Sequence, residues 1–410
     1  MMTFLRRWLR VPMPPRTRAN AQVDFLAAIL YGAFGGLTLP FIPVMGRRLG
    51  ATPLQVSLLV AAPAIVFLLS FWIVNAVRPV HPVRLVMWPA LLGRLLFLFM
   101  PLIKTPAPYV ALIVLYHGVS SINTLGYAQV MRAVYPDDVR GRIMALVKVG
   151  MAAFWVLGSL AGGQLTQMVP FQWVFAAAGI LGMASALVFS RVRTPDTIEA
   201  PEHINPAVTW RILRTDTAFR PFLLAFFVYG FGGWLISPAV PILLVDDLRA
   251  TNFQVGLLGA VTSALWMLSF YSWGKMIDQR TATNTTKVVF AIGTLTPVVY
   301  FFSPNAWVVQ LAGISDGLTS AGIDLGWLAA VLHYAPPGQV LHYVTLFNTL
   351  VGLRAATAPF IAGALIPSIG VRWIFAAAAV VQLTGMLLMR RVSAPGLAEG
   401  AAPSDPPSTA

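Results

Sequence analysis

Two matching frames in this 410-residue chain carry ionisable side chains inside otherwise apolar stretches. His117-Gly118-Val119-Ser120-Ser121 and Asp316-Gly317-Leu318-Thr319-Ser320 each set an ionisable residue before a glycine and two hydroxyls. Such a group in an apolar run is costly unless it faces water or a partner. An imidazole titrates near neutrality, and a carboxyl group can trade a proton as its surroundings change. Asp316 and His117 are therefore the candidates for loading and releasing a proton, with a structural hydrogen bond between helices as the alternative. Asp324 and Arg354 form a second set, at similar counted depths on neighbouring apolar segments, and an intramembrane ion pair is expected. Arg94 and Lys148 are cations with no acidic partner in their half of the chain. If both face a cavity they favour an anionic group, although Lys148 can also snorkel to a surface.

Other chemistries are missing. Cysteine is absent and the five histidines form no spaced metal set. There is no G-x-x-x-x-G-K-[ST], H-E-x-x-H or G-x-S-x-G sequence, so neither an NTPase nor a hydrolase is expected, and no cofactor or metal.

The elements that must position these residues are written twice. Tyr31-Gly32 to Pro40 and Pro43 reads Y-G-A-F-G-G-L-T-L-P-F-I-P, and Tyr229-Gly230 to Pro238 and Pro241 reads Y-G-F-G-G-W-L-I-S-P-A-V-P. Leu54-Gln55-Val56 echoes Phe253-Gln254-Val255, and Trp173-Val174-Phe175 echoes Trp373-Ile374-Phe375. The offset is near 198 residues, so the unit repeated is half a protein. Hydrophobic residues make up 58% of the chain and charged ones 10%, against about 25% charged in soluble proteins. Lipid must be its solvent. Twelve segments meet the length of about 20 apolar residues that a bilayer requires. They are 21–45, 53–77, 83–103, 107–134, 143–169 and 171–190, then 219–245, 253–276, 286–303, 306–335, 340–369 and 371–389, the ninth being the shortest.

The net charge of +14 has a topological explanation. Of the 28 basic residues, twenty fall at the segment ends that share a side with both termini, three lie within segments, and five (Arg47, Arg48, Lys104, Arg249, Arg372) lie at the opposite ends. The positive-inside rule places both termini in the cytoplasm and calls for no nucleic acid. The expected organisation is a basic N-terminal arm (1–20), a six-helix bundle (21–190), a cytoplasmic linker (191–218), a second bundle (219–391) and a disordered tail (392–410).

Six plus six helices in like orientation, with a central cytoplasmic loop, resemble the major facilitator superfamily over roughly residues 21–391. Local motifs agree in part. Gly274-Lys275-Met276-Ile277-Asp278-Gln279-Arg280 keeps the first part of the family's loop signature, whereas the first-half equivalent, Asn75 to Pro82, has lost both glycine and acid. Pro136-Asp137-Asp138-Val139-Arg140-Gly141-Arg142 is similar to the family's P-x-x-x-R-G-R turn. Gly158-Ser159-Leu160-Ala161-Gly162-Gly163 resembles the fifth-helix pattern of proton-linked exporters, with Ser159 in place of proline; small residues that let helices approach are the alternative reading.

The resemblance implies an all-α membrane fold of two pseudo-symmetric six-helix bundles, with helices 1, 4, 7 and 10 lining a central cavity. Tyr31, Tyr229, Ser120, Ser121, Asn123, Thr319, Ser320 and Arg94 are then cavity candidates. Pro40 and Pro238 are expected to kink helices 1 and 7. By pseudo-symmetry, Asp278 and Arg280 are expected to meet Arg140 and Arg142 in a cytoplasmic gate. Asp24, in the first turn of helix 1 as counted here, is expected to form a surface ion pair near Arg132 or Arg140.

The implied function is secondary transport of a small organic solute by alternating access, proton-coupled and outward, by a monomer in a prokaryotic plasma membrane. A carrier of an organic anion using Arg94 and Arg354 is one alternative. A non-transporting membrane receptor of the same fold is the other.

Overall fold

Closely packed helices at one end of the molecule, and an open space at the other, define the architecture. The computed structural model describes residues 14–76, 82–194, 206–336 and 338–392. Every element among them is helical. The twelve long segments are α1 (Pro15–Arg48), α2 (Pro53–Ala76), α3 (Val83–Leu102), α4 (Pro106–Val134), α5 (Asp137–Met168) and α6 (Phe171–Phe189), followed by α7 (Phe219–Asp247), α8 (Asn252–Arg280), α9 (Ala282–Phe302), α10 (Val309–Tyr334), α11 (Val340–Ile369) and α12 (Val371–Arg390). Nine are long and apolar enough to cross a membrane among the described residues. The helices bearing His117 and Asp316, α4 and α10, stand outside that set but have spanning lengths of 29 and 26 residues. Asn75 and Ala76 end α2; the rest of the loop expected to have lost the family signature, 77–81, lies outside the described residues, as does most of the arm and the tail.

The duplication is visible in backbone detail. Thr52 and Gln55 open α2 with reciprocal hydrogen bonds of 2.9 and 3.2 Å, and Thr251 with Gln254 repeats this capping box at α8. The preceding turn requires a positive φ in both copies. Gly50 supplies it at 93°, while the second copy holds Arg249 at 46°, a conformation that costs a non-glycine residue about 1 kcal/mol. Within each half, α1 packs on α5 and α6, and α7 packs on α11 and α12. The repeated glycines permit the close approach in the first half, where a Cβ on Gly36 would run into the Trp155 carbonyl of α5.

Proline shapes the two copies differently. Pro40 interrupts α1 with a 3-10 turn at Leu39–Phe41. Pro238, expected to kink α7 in the same way, sits in an unbroken helix from Phe219 to Ile242, and the irregularity is a π turn at Leu243–Asp247. Pro238 has no N–H for the Trp234 carbonyl, and the Ser237 hydroxyl takes that carbonyl at 2.8 Å. The ninth segment begins at Ala282 rather than 286 and divides at Thr294. Pro297 explains the division, because it leaves the Gly293 carbonyl without its helical donor.

Helix α1 starts at Pro15, inside the stretch read as a basic arm. Asn20 exchanges two hydrogen bonds with the Arg193 backbone (3.0 and 2.9 Å), and Arg16 donates to the Thr194 carbonyl at 3.2 Å. The linker likewise holds a short helix, Pro206–Thr215, which packs on α11 through buried residues such as Ile212; residues 195–205 lie outside the described ones.

The halves meet through α5 against α8 and α2 against α11. The polar contacts between them gather at one end, here the clamped end. Ser159 donates to the Gly256 carbonyl at 2.8 Å, and Ser57 to the Pro359 carbonyl at 2.7 Å. Gly163 lies beside Phe253 and Gly363 beside Ser57, so small residues set the separation. Arg47 makes a forked ion pair with Asp246 (Nε to Oδ1 3.0 Å, Nη2 to Oδ2 2.5 Å). Arg48 donates to Asn252, whose amide donates to the Thr166 carbonyl at 2.8 Å. At the opposite, open end a Cβ on Gly141 or Gly274 would meet nothing within 4 Å.

The Arg47–Asp246 pair is half-buried and forked, which is worth up to about 1 kcal/mol, or about a five-fold change between two states. Arg47→Asp is expected to raise thiol labelling of a single cysteine introduced at the clamped end by that factor, in a background that has no native cysteine. The double change Arg47→Asp with Asp246→Arg is expected to restore it. Unchanged labelling in both would refute a latch.

Candidate functional site

The cavity lies within the first half, not symmetrically between the two. It occupies about 250 Å³, and its polar lining is Asp24, Tyr31, Arg94, Asn123, Tyr127, Lys148 and Ser185, set among alanine, valine and methionine side chains and Phe189. Helices α1 and α4 contribute as expected; α7 and α10 do not line it. A buried carboxylate and a buried guanidinium mark its two ends. Asp24 is 2% exposed and accepts hydrogen bonds from the Tyr135 hydroxyl (3.1 Å) and the Tyr127 hydroxyl (3.3 Å). It is therefore neither a surface residue nor paired with Arg132 or Arg140. The earlier helix start is the reason: counted from Pro15, Asp24 lies in the third turn, facing α4. Arg94 is also buried, donates to the Gly182 carbonyl at 2.6 Å, and lies 5.0 Å from the Tyr31 ring and 5.8 Å from that of Phe34. Ring faces and a carbonyl thus hold this cation where no carboxylate does.

In the second half the matching residues are packed rather than exposed to a cavity. Tyr229 is 2% exposed and stacked on Phe290 with centroids 3.7 Å apart. Its hydroxyl and that of Thr319 are both buried against Gly293 without a hydrogen-bond partner among the described residues. Neither lines the cavity, because α9 closes over them. Ser320 is half-buried. The Asp316 carboxyl has no hydrogen bond or ion pair among the described residues; it acts electrostatically on the Tyr229 and Tyr300 phenols. His117 rests against the ring of Tyr116, 4.9 Å away, and makes no contact with Asp316. Each stays in its own half while the open end is apart. Beside His117, Gly118 faces open space, Ser121 donates to the Gly118 carbonyl at 3.0 Å, and Ser120 lies against Gly93.

The Asp324–Arg354 ion pair does not form. Arg354 of α11 is buried, donates to the Phe226 carbonyl of α7, and lies over Gly230 and 5.9 Å from the Phe226 ring. Helix α11 packs chiefly on α2 and α7, not on its sequence neighbour α10, and this turns Arg354 away. Asp324 faces the other way, accepting from the Trp266 indole of α8 at 2.8 Å. The cation in electrostatic reach of Asp324 is Lys148, from the opposite half. Sequence order alone hides this partner.

The expected gate residues stand apart at the open end. Asp278, Arg280 and Arg142 are exposed. Arg140 is held inside its own half by Asp137 (2.5 Å) and the Tyr135 carbonyl (2.8 Å). Bringing Asp278 to the start of α5 requires the open end to close.

With no buried pair to break, Asp324→Asn is expected to change the melting temperature in detergent by the equivalent of about 1 kcal/mol or less. Removing one partner of a buried ion pair costs about 3–5 kcal/mol, so a loss of that size would restore the pairing with Arg354.

Comparison with known proteins agrees with this architecture. The family model described as Major Facilitator Superfamily matches residues 25–307 and 222–407. Multidrug transporter MdfA of Yersinia pestis bv. Antiqua (strain Angola) is 22% identical over 262 residues, covering 60% of this chain and 63% of that protein. The chain thus spans under two thirds of that relative's length. Multidrug efflux protein YfmO of Bacillus subtilis (strain 168) is 22% identical over 369 residues, 86% of this chain and 88% of that one. Among solved structures, the nucleoside transporter NupG superposes with a TM-score of 0.72 at 9% identity, over 91% of this chain and 99% of that chain. A bacterial homologue of the human lysosomal transporter Spinster, inward-facing and occupied, gives 0.69 at 13% identity, over 92% and 97%. The structural likenesses speak to fold alone. The match of the family model along the chain, with two six-helix halves behind it, makes this protein a member of the major facilitator superfamily.

Proposed function

We propose that this transporter moves a small organic solute across a prokaryotic plasma membrane by alternating access, as a monomer, coupled to protons and in the outward direction. One observation carries the reading: the two halves touch through small residues at one end and stand apart at the other, with a polar-lined cavity inside the first half. Rocking about α5–α8 and α2–α11 would exchange which end is closed.

The positive-inside distribution assigns the open end, where both described chain ends lie, to the cytoplasm. The clamped end with Arg47 and Asp246 is then external. Export is supported by relatives named as multidrug transporters. Asp316, with His117, is the proposed proton carrier, since its carboxyl makes no ion pair among the described residues and an intramembrane carboxyl of that kind is a functional candidate. The organic-anion alternative loses support at Arg354, which does not line the cavity and gives an N–H to the Phe226 carbonyl; Arg94 lines the cavity and gives one N–H to the Gly182 carbonyl.

The test uses proteoliposomes with a pH gradient and a pooled library of metabolites and drugs. Wild type is expected to move protons when a transported compound is added. Asp316→Asn is expected to lose that proton flux at least ten-fold while still exchanging the compound. Compound movement without protons, unaltered in the variant, would make Asp316 structural and the carrier a uniporter.

A further inference from the structure

We propose that Lys148 and Asp324 form a two-charge site, one charge from each half, for a zwitterionic solute with an apolar body. The proposal rests on the transporter reading and names its substrate class.

Three observations set the two charges at one depth on helices that face each other from the two halves. Ser159 and Gly256 touch where α5 meets α8. Lys148 lies 11 residues from Ser159 along α5, and Trp266 lies 10 residues from Gly256 along α8. At 1.5 Å per residue they are about 16.5 and about 15 Å from the same contact, so they are level across the cleft to within about 2 Å. Trp266 then holds Asp324 of α10 by its indole N–H. Both charged residues are exposed, and among the described residues no ion pair joins them.

The gap suits an inserted ligand. Lys148 lines the cavity of the first half, so a carboxylate bound there leaves its apolar body beside Met144, Val147, Met151 and Tyr31. The Trp266 bond engages Oδ2 of Asp324 and leaves Oδ1 for an ammonium group. The indole and the Phe270 ring, 4.6 Å away edge to face, add aromatic surface for that cation. A zwitterion satisfies both charges and adds no net charge, whereas a singly charged compound leaves one desolvated and unmatched when the cleft narrows. Asp24 is the carboxylate that lines the first-half cavity itself, but two phenol hydroxyls already occupy it.

The experiment is calorimetric titration of the full chain in nanodiscs with three probes that share one body: L-phenylalanine, 2-phenylethylamine and 3-phenylpropanoate. L-phenylalanine is expected to bind at least ten-fold more tightly than either other probe. Lys148→Gln is expected to reduce it to the affinity of the amine, and Asp324→Asn to that of the carboxylate, while Asp24→Asn keeps the ranking. Each variant is checked for an unchanged melting temperature, and Lys148→Arg is expected to rescue. Equal affinities, no binding, or a ranking lost in Asp24→Asn but kept in Asp324→Asn would overturn the site. So would altered cleft closure with the ranking intact, which would make the two residues a direct latch. Rocking itself is read separately by alkylation of Gly274→Cys at the open end. Alkylation that never varies between conditions would count against the transporter reading, whereas varying alkylation with a failed ranking would sink only the zwitterion site.

Discussion

Everything else in this structure depends on how closely the two halves approach at one end. Two bundles in lipid gain little from burying apolar surface against each other, since lipid is equally apolar. What holds them is close backbone packing and a few polar bonds. Ser159, Gly163 and Gly256 provide this on one side, and Ser57, Pro359 and Gly363 on the other. The contact is narrow, and a narrow contact can act as a pivot. A broad interface of large side chains would lock the halves in one arrangement.

The latch at the clamped end is a product of the duplication itself. Arg47-Arg48 and Asp246-Asp247 occupy matching positions at the end of the first helix of each half. The repeat that makes the backbones alike has thus given the two copies opposite charges at the same place. Arg47 with Asp246 spans the halves, while Asp247 turns to Arg372 within its own. At the open end the first-half loop Pro136–Arg142 is charged and its second-half match after α10, with Pro336, Gly338 and Gln339, is not. A clamp there would rest on Asp278 and the α5 start alone.

The buried arginines show a different economy of charge. Arg94 on α3 and Arg354 on α11 are not related by the repeat, yet each gives a hydrogen bond to a carbonyl of a neighbouring helix and lies near an aromatic ring. Neither meets a carboxylate. Delocalised guanidinium charge tolerates such settings better than a lysine ammonium would. Their shared geometry is that of struts within each half, which leaves Lys148, Asp324, Asp24, Asp316 and His117 as the polar groups able to respond to what enters the cleft.

The amino-acid sequence by itself determined the twofold plan, the spanning helices and the family, because these follow from apolar length and repetition. It determined that Ser159 and Gly163 mark a close helix contact, since small residues have few other uses in a membrane helix. It did not reveal the partners of the charged residues. Asp324 and Arg354 match in depth, yet depth fixes only one coordinate; rotation about each helix axis fixes the other, and packing of α11 on α2 and α7 sets it. Asp24 was hidden by a start displaced to Ala21, because six residues of helix move a side chain from the surface to the interior. The Lys148–Trp266–Asp324 alignment joins groups from both halves and three helices. Only the tertiary structure decided it, because side-chain encounters between halves depend on how two rigid bundles are docked, and no local pattern encodes that angle.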